Sequence, residues 1–275
     1  MNMKIAVLIT CYNRKEKTIH CVNCLKTELD KHAILFDIHL TDDGCTDGTA
    51  ELVLKHFPSA HIYKGNNLYW AGGMRLAWRG AISKGGYDYY MLLNDDTFPN
   101  EYLIPDFYDC LKFGGKSALI CANTCDPKTN VPTYVGVKCI NRFTLKSKKE
   151  LPNGTPYYID YIGANLWFVP SVVVEKIGIF PEIYIHGVAD NDYCWRAKEA
   201  GFKLIGTPHY CAYCEADHKP LNKLEFKSMG IKQRWTYLNS PKGVEIKQQL
   251  YFQRRFFPWR YPFVIIKTIT KLLLG

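Results

Sequence analysis

The stretch Tyr89-Tyr90-Met91-Leu92-Leu93-Asn94-Asp95-Asp96-Thr97 decides the fold. A run of strand-forming residues ends abruptly in an amide and two carboxylates. Adjacent acids repel one another unless a cation stands beside them. Hard oxygen ligands select Mg²⁺ or Mn²⁺, and Mg²⁺ commonly binds one or two carboxylates together with substrate phosphates. In open α/β sheets, ligands bind at the carboxyl ends of the strands. The stretch therefore reads as a buried strand that delivers a metal–diphosphate site. A polar turn after a buried strand is the competing reading.

Outward from this point the first half alternates strand and helix signals. Residues 4–10 are an apolar strand, and residues 15–29 have helical spacing through Ile19, Val22, Leu25 and Leu29. Residues 36–41 alternate as a strand. Asp47 can cap a helix over 50–56, residues 61–64 form a short strand, and residues 72–83 read as helix. Repeated strand–helix units predict a mainly parallel, Rossmann-like sheet covered by helices, with the loops after each strand along one edge. The second half predicts strands over 117–122, 157–167 and 203–207, and helices over 171–177 and 190–200.

Four polar clusters fall at four strand ends. Thr10-Cys11-Tyr12-Asn13-Arg14 lacks the glycine pattern of a dinucleotide fold and the lysine of a P-loop. Tyr12 can stack on a base and Arg14 can reach a phosphate. Asp42-Asp43-Gly44-Cys45-Thr46-Asp47-Gly48 offers Asp42 to the N3–H of uracil or thymine and Asp47 to the next helix. The stretch from Asn66 to Arg75 contains Trp70 and the pair Gly72-Gly73. Glycines permit close backbone approach, and a helix start offers N–H groups to phosphate. Asn94-Asp95-Asp96 is the fourth cluster.

In this order the clusters resemble glycosyltransferase family 2 and its GT-A nucleotide-diphospho-sugar fold, nearest to rhamnosyltransferase-like bacterial members that build surface polysaccharides. The resemblance covers about residues 3–218. It implies donor contacts from Thr10, Tyr12, Arg14, Asp42, Asn66, Trp70, Gly72, Gly73, Arg75, Asn94 and Asp95. It places the metal on Asp96, the last acid of an Asp-x-Asp-type motif whose first position is Asn94 here. His218 completes the metal site, with His209 as the alternative. The segment from Ile185 to Arg196 is similar to the family's Glu-Asp-x-Asp-x-x-x-Arg helix, with Ala189 at the Glu position. Asp190 is then the general base and Asp192 the runner-up, with Gly163, Ala164 and Asn165 on the acceptor side. The competing reading makes Asp190 a helix cap and Asp192–Arg196 an i,i+4 ion pair.

The chain has 275 residues, 47% hydrophobic, enough for one large domain with an appendage. The first apolar run is too short for a signal h-region, so a cytoplasmic protein is expected. The eleven cysteines are an odd count, scattered, and expected as thiols. Cys21-x-x-Cys24 and Cys211-x-x-Cys214 could build a zinc site, though one pair lies in a predicted helix. Residues 219–275 hold twelve Lys/Arg against two Asp/Glu, so the net +9 of the chain belongs to this segment. The expected organisation is a GT-A unit over 1–218, with a nucleotide half 1–115 and an acceptor half 116–218. A basic helical extension over 219–275 follows.

Near the end, Arg260, Lys267 and Lys271 group on one helix side and Ile265, Ile266, Ile269, Leu272 and Leu273 on the other. With Trp259 and Tyr261 this predicts an interfacial helix on the anionic inner face of the cell membrane. A helix packed on the domain or in a homodimer is the alternative. Nothing resembles a nucleic-acid reader.

The function that follows is inverting, metal-dependent transfer from a UDP- or dTDP-sugar to a saccharide hydroxyl, on a lipid-linked acceptor. A sugar-phosphate nucleotidylyltransferase, or a non-catalytic saccharide- or membrane-binding partner on the same fold, are the alternatives.

Overall fold

The computed structural model describes residues 3–215, 221–241 and 243–275. The first half runs β1 (Lys4–Cys11), α1 (Lys15–Lys31), β2 (Leu35–Asp42), α2 (Thr49–His56), β3 (His61–Lys64), α3 (Tyr69–Lys84), β4 (Tyr89–Leu93), β5 (Thr97–Pro99) and α4 (Leu103–Gly114). There follow β6 (Leu119–Cys125), β7 (Pro132–Tyr134), β8 (Val137–Asn141), β9 (Lys146–Lys149), β10 (Tyr157–Tyr158), β11 (Leu166–Pro170), α5 (Ser171–Ile177), α6 (Ala189–Glu199) and β12 (Leu204–Cys214). Four helices close the chain: α7 (Lys223–Ser228), α8 (Ile231–Leu238), α9 (Ile246–Phe256) and α10 (Tyr261–Leu274).

The main sheet has the order β10-β12-β6-β11-β4-β1-β2-β3. Strands β4, β1, β2 and β3 are parallel, and β11 enters antiparallel between β4 and β6. Because side chains alternate across a strand, β1 feeds two cores. Ile5, Val7 and Ile9 join Met91 and Leu93 under α1 and α4. Ala6 and Leu8 join Tyr90 and Leu92 under Trp78 of α3 and Tyr193 of α6. Burial on both faces explains the unbroken apolar run of β1.

Three expectations need correcting. Helix α4 has the apolar spacing Leu103, Ile104, Phe107, Cys110 and was not anticipated. The strand expected over 157–167 is two strands, β10 and β11. Gly163–Asn165 turns between them, with Asn165 N–H donating to Gly163 O at 2.9 Å. The strand expected over 203–207 continues to Cys214.

Helix α9 joins the sheet unit through an aromatic cluster of Trp195, Phe252, Phe256 and Phe257. Arg234 of α8 donates to Phe226 O and Lys227 O near the end of α7 and to Leu272 O and Leu273 O at the end of α10. One buried guanidinium thus bonds carbonyls at two helix ends, where intrahelical partners run out.

Candidate active site

The site lies where β1, β2 and β4 end. Asp43 N–H donates to Cys11 O at 3.0 Å and Thr46 N–H to Asn13 Oδ1 at 2.8 Å, which joins the first two polar clusters. Asn13 takes φ of 50°, in the left-handed region that Asn tolerates. Asp47 ties two helix starts together, accepting from Lys15 N and Thr49 N at 3.0 Å each. Tyr12 is 58% exposed at this edge. Asp42 is half-buried and accepts from Cys45 N at 2.7 Å.

Asp95 and Asp96 are both buried, and Arg14 faces both carboxylates. Its Nη1 lies 3.0 Å from Asp95 Oδ1 and 2.5 Å from Asp96 Oδ2. Arg14 was expected on a phosphate; here it supplies the positive charge that two adjacent acids demand. Burial lifts Asp95 to about 7, opposed by Arg14 and helped by the Asp96 charge. A pair of buried carboxylates that holds a guanidinium this closely has the hard oxygen chemistry that suits Mg²⁺ or Mn²⁺. Asn94 is fixed on two sides. Its side-chain oxygen accepts from Trp70 Nε1 at 2.7 Å, and its N–H donates to Asn165 O at 2.9 Å.

The stretch 66–75 departs from expectation. Helix α3 starts at Tyr69, so Gly72 and Gly73 lie inside it rather than at its start. Most of the N–H groups at its start are taken. Asp43 accepts from Leu68 N at 2.8 Å and Tyr69 N at 2.9 Å, and Ile185 O accepts from Ala71 N at 2.9 Å. Gly73 permits close packing on β1, since a Cβ there would lie 2.7 Å from Thr10 Oγ1. Thr10 is thus a packing residue under α3. Arg75, expected on the donor, is buried and donates to Tyr184 O at 2.6 Å and Pro181 O at 3.0 Å, with Glu182 beside it. Asn66 is exposed and accepts from Asn67 Nδ2 at 3.0 Å.

On the other side, Asp190 sits in the first turn of α6. Its carboxylate accepts from Asn191 N at 2.7 Å and Ala164 N at 3.3 Å. Burial raises its pKa above the ordinary 3.8 despite these two donors. Gly163 lies beside it: a Cβ there would stand at an ordinary 3.7 Å from Asp190 Oδ2 and would press on the Tyr134 ring. Asn165 is fully buried, accepting from Thr97 Oγ1 at 2.5 Å, and so holds the strand end instead of facing an acceptor. Asp192 is also fully buried, 2.5 Å from Arg196 Nε and accepting from Tyr184 OH at 2.9 Å. That removes it as the alternative base. Ala164 and Asn165 are neighbours, so Asp190 and Asn94 bond to consecutive residues just before β11.

His218 lies outside the described residues. His209 is instead tied to Asp106, with Nδ1 2.9 Å from Oδ1. Cys21 donates to Asn94 O and Cys211 to Asp106, and among the described residues no three cysteines bring their sulfurs together at ligating distance, so the zinc reading is not supported. Asp37, His39 and His61 bring ligand atoms within 4.8 Å of one another. Both ring nitrogens of His39 are already hydrogen-bonded there, Nδ1 to Tyr63 OH at 2.8 Å and Nε2 to Tyr87 OH at 2.9 Å, so this group is engaged as a packed polar network. The sequence reading did not single out Glu245 and Gln248, whose side chains accept from Gly187 N and Ile185 N just before Asp190. No local signal marks them.

The family model for glycosyl transferase family 2 matches residues 6–164, more than half of the chain. Among solved structures, S. aureus TarS 1–349 has 15% identity and a TM-score of 0.52, over 78% of this chain and 60% of that one. S. aureus TarS has 14% identity and a TM-score of 0.54, over 93% of this chain and 44% of that one. S. aureus TarS 1–349 in complex with UDP has 14% identity and a TM-score of 0.52, over 92% and 72%. This chain therefore spans about half of the full TarS structure, and at such identities the likeness shows the fold alone. None of the curated proteins matches. The acids at the end of β4, the sheet order that puts them there and the matched family model agree: this chain belongs to glycosyl transferase family 2 and has the GT-A fold.

Proposed function

We propose that the protein transfers a sugar, with inversion, from a UDP- or dTDP-sugar to a hydroxyl of a saccharide acceptor in surface polysaccharide synthesis. The observation that carries this reading is that two acidic centres gather at the same strand ends: Asp95/Asp96 follow β4 directly, and Asp190 bonds Ala164, next to the Asn165 that pairs with Asn94. Asp96, with Asp95 and Asn94 beside it, would hold Mg²⁺ or Mn²⁺; His218 is proposed to complete the set. The ion supplies charge neutralisation for the diphosphate leaving group. Asp42 would accept from the pyrimidine N3–H, Tyr12 would cover the base, and Arg14 would move from the acids to the diphosphate. Asp190 would take the proton of the acceptor hydroxyl, a role favoured by its raised pKa. A base on the face opposite the leaving group gives inversion in one displacement. The complex of TarS 1–349 with UDP supports a uridine donor by likeness of fold.

We further propose that residues 1–218 form the transfer unit and 219–275 an attachment unit on the anionic inner face of the membrane. A lipid-linked acceptor suits that location. A homodimer through the same helices is the second reading of this surface.

A thermal-shift panel of UDP, dTDP, GDP and CDP, each with Mn²⁺ or EDTA, tests the donor site. Metal-dependent stabilisation by UDP or dTDP is expected, and Asp190→Asn should keep it while losing turnover by about a hundredfold or more. A nucleotide response absent at every concentration, or full turnover in Asp190→Asn, overturns the reading.

A further inference from the structure

The base loop is held from outside the GT-A core. Glu245 stands at the start of α9, and its Oε2 accepts from Gly187 N at 2.6 Å, 58 residues away in the chain. Gln248 Oε1 accepts from Ile185 N at 3.0 Å, and Gln248 Nε2 donates to Glu245 Oε1 at 2.7 Å. Both side chains are buried, 4% and 5% exposed. A short polar side chain at this position would cap its own helix. Glu245 does not, and it adopts φ of 47°, a costly region for a non-glycine residue. Its carboxylate is spent on the loop instead, in a charge-assisted bond of the stronger kind.

The other side of the same loop is also held. Ile185 O accepts from Ala71 N, and Arg75 of α3 grips Pro181 O and Tyr184 O. The segment 181–187 is therefore clamped between α3 and α9. Beyond the clamp, Gly187 O accepts from Ala189 N at 2.8 Å, Val188 turns through φ of 53°, and Asp190 follows. A Cβ at Gly187 would sit 3.1 Å from Glu245 Oε2, so the close approach favours glycine there.

We infer that Glu245, seconded by Gln248, is a positioning residue for Asp190, so that the start of helix α9, within the proposed attachment unit, also serves the transfer site. The inference rests on the reading of Asp190 as the base. Losing the carboxylate frees Gly187 and lets Asp190 drift from Ala164, and small misplacements of a catalytic group cost rate steeply.

The test uses the full chain, with Glu245→Ala, Glu245→Gln, Gln248→Ala and Asp190→Asn. Amide exchange over residues 185–190 is read alongside UDP affinity and nucleotide release from a saturating UDP-sugar or dTDP-sugar. In Glu245→Ala, exchange should accelerate about tenfold or more and turnover should fall about tenfold or more, while nucleotide affinity stays within about twofold. Glu245→Gln should recover most of both. Unchanged exchange in Glu245→Ala, or unchanged turnover beside faster exchange, overturns the inference. Should Glu245→Ala melt as a whole, Gln248→Ala gives the same reading with a smaller effect. Full turnover in Asp190→Asn would refute the base and leave the clamp to be judged by exchange alone.

Discussion

Asp95 shows how one residue can carry both a cost and a use. Its carboxyl is held near 7 by burial, whereas in the unfolded chain it titrates near 3.8. Between those values the folded protein keeps a proton that the unfolded chain has released. Stability therefore falls as pH rises through the window from 3.8 to about 7, and is level above it. Asp95→Asn removes this dependence. In metal-free buffer, the melting temperature of the variant relative to the parent should climb from pH 4 to pH 7. A difference that stays constant across that range would mean Asp95 is ionised throughout. Arg14 limits the cost by facing both acids, which a bound divalent ion would do more strongly.

At the scale of the element, α3 is the piece that sets the site. Gly73 lets it lie on the end of β1, Thr41 Oγ1 donates to Gly73 O at 2.7 Å, and Trp70 reaches down to Asn94. Alanine is the better helix former in open helix, yet a Cβ at 73 would drive into Thr10. Gly73→Ala should cost a net of about 1–2 kcal/mol, read as a lower urea midpoint. An unchanged midpoint would show that α3 can ride up without loss. The resemblance assigned these glycines and Arg75 to the donor. A helix start cannot be placed within three residues from spacing alone, and the partners of Arg75 lie about a hundred residues away. That is why their packing role was not legible.

Across the whole molecule the net positive charge comes from residues 219–275, the other residues being close to balanced. The apolar residues of α10 divide. Val264, Ile265 and Leu272 are half-buried on the side toward α8 and α9, while Phe263, Ile266, Ile269, Leu273 and Leu274 are exposed. The expected single apolar face is thus two faces. Arg260 is also turned away from the expected cationic side, donating to Phe143 O and Thr144 O. Among the described residues no helix is long and apolar enough to cross a membrane. An exposed apolar row beside Lys267 and Lys271 fits a headgroup boundary. The double variant Phe263→Asp, Ile266→Asp should lose flotation with anionic vesicles while keeping its nucleotide response. Flotation that persists would place membrane contact elsewhere or remove it.

The sheet, its parallel half, the strand-end clusters and the family could be read from the chain alone. Each rests on short-range pattern: apolar alternation, helical spacing, and acids that interrupt a buried strand. Tertiary structure decided what each polar residue does there. Asp42 and Asp43 are neighbours in one turn, yet Asp43 caps α3 and Asp42 does not. Asp190 and Asp192 share one helix turn, yet one borders Gly163 and the other is sealed by Arg196 and Tyr184. Glu245 carries no motif at all. Its contact with Gly187 exists only because aromatic packing of α9 on α6 brings distant segments together, and local sequence does not encode such contacts.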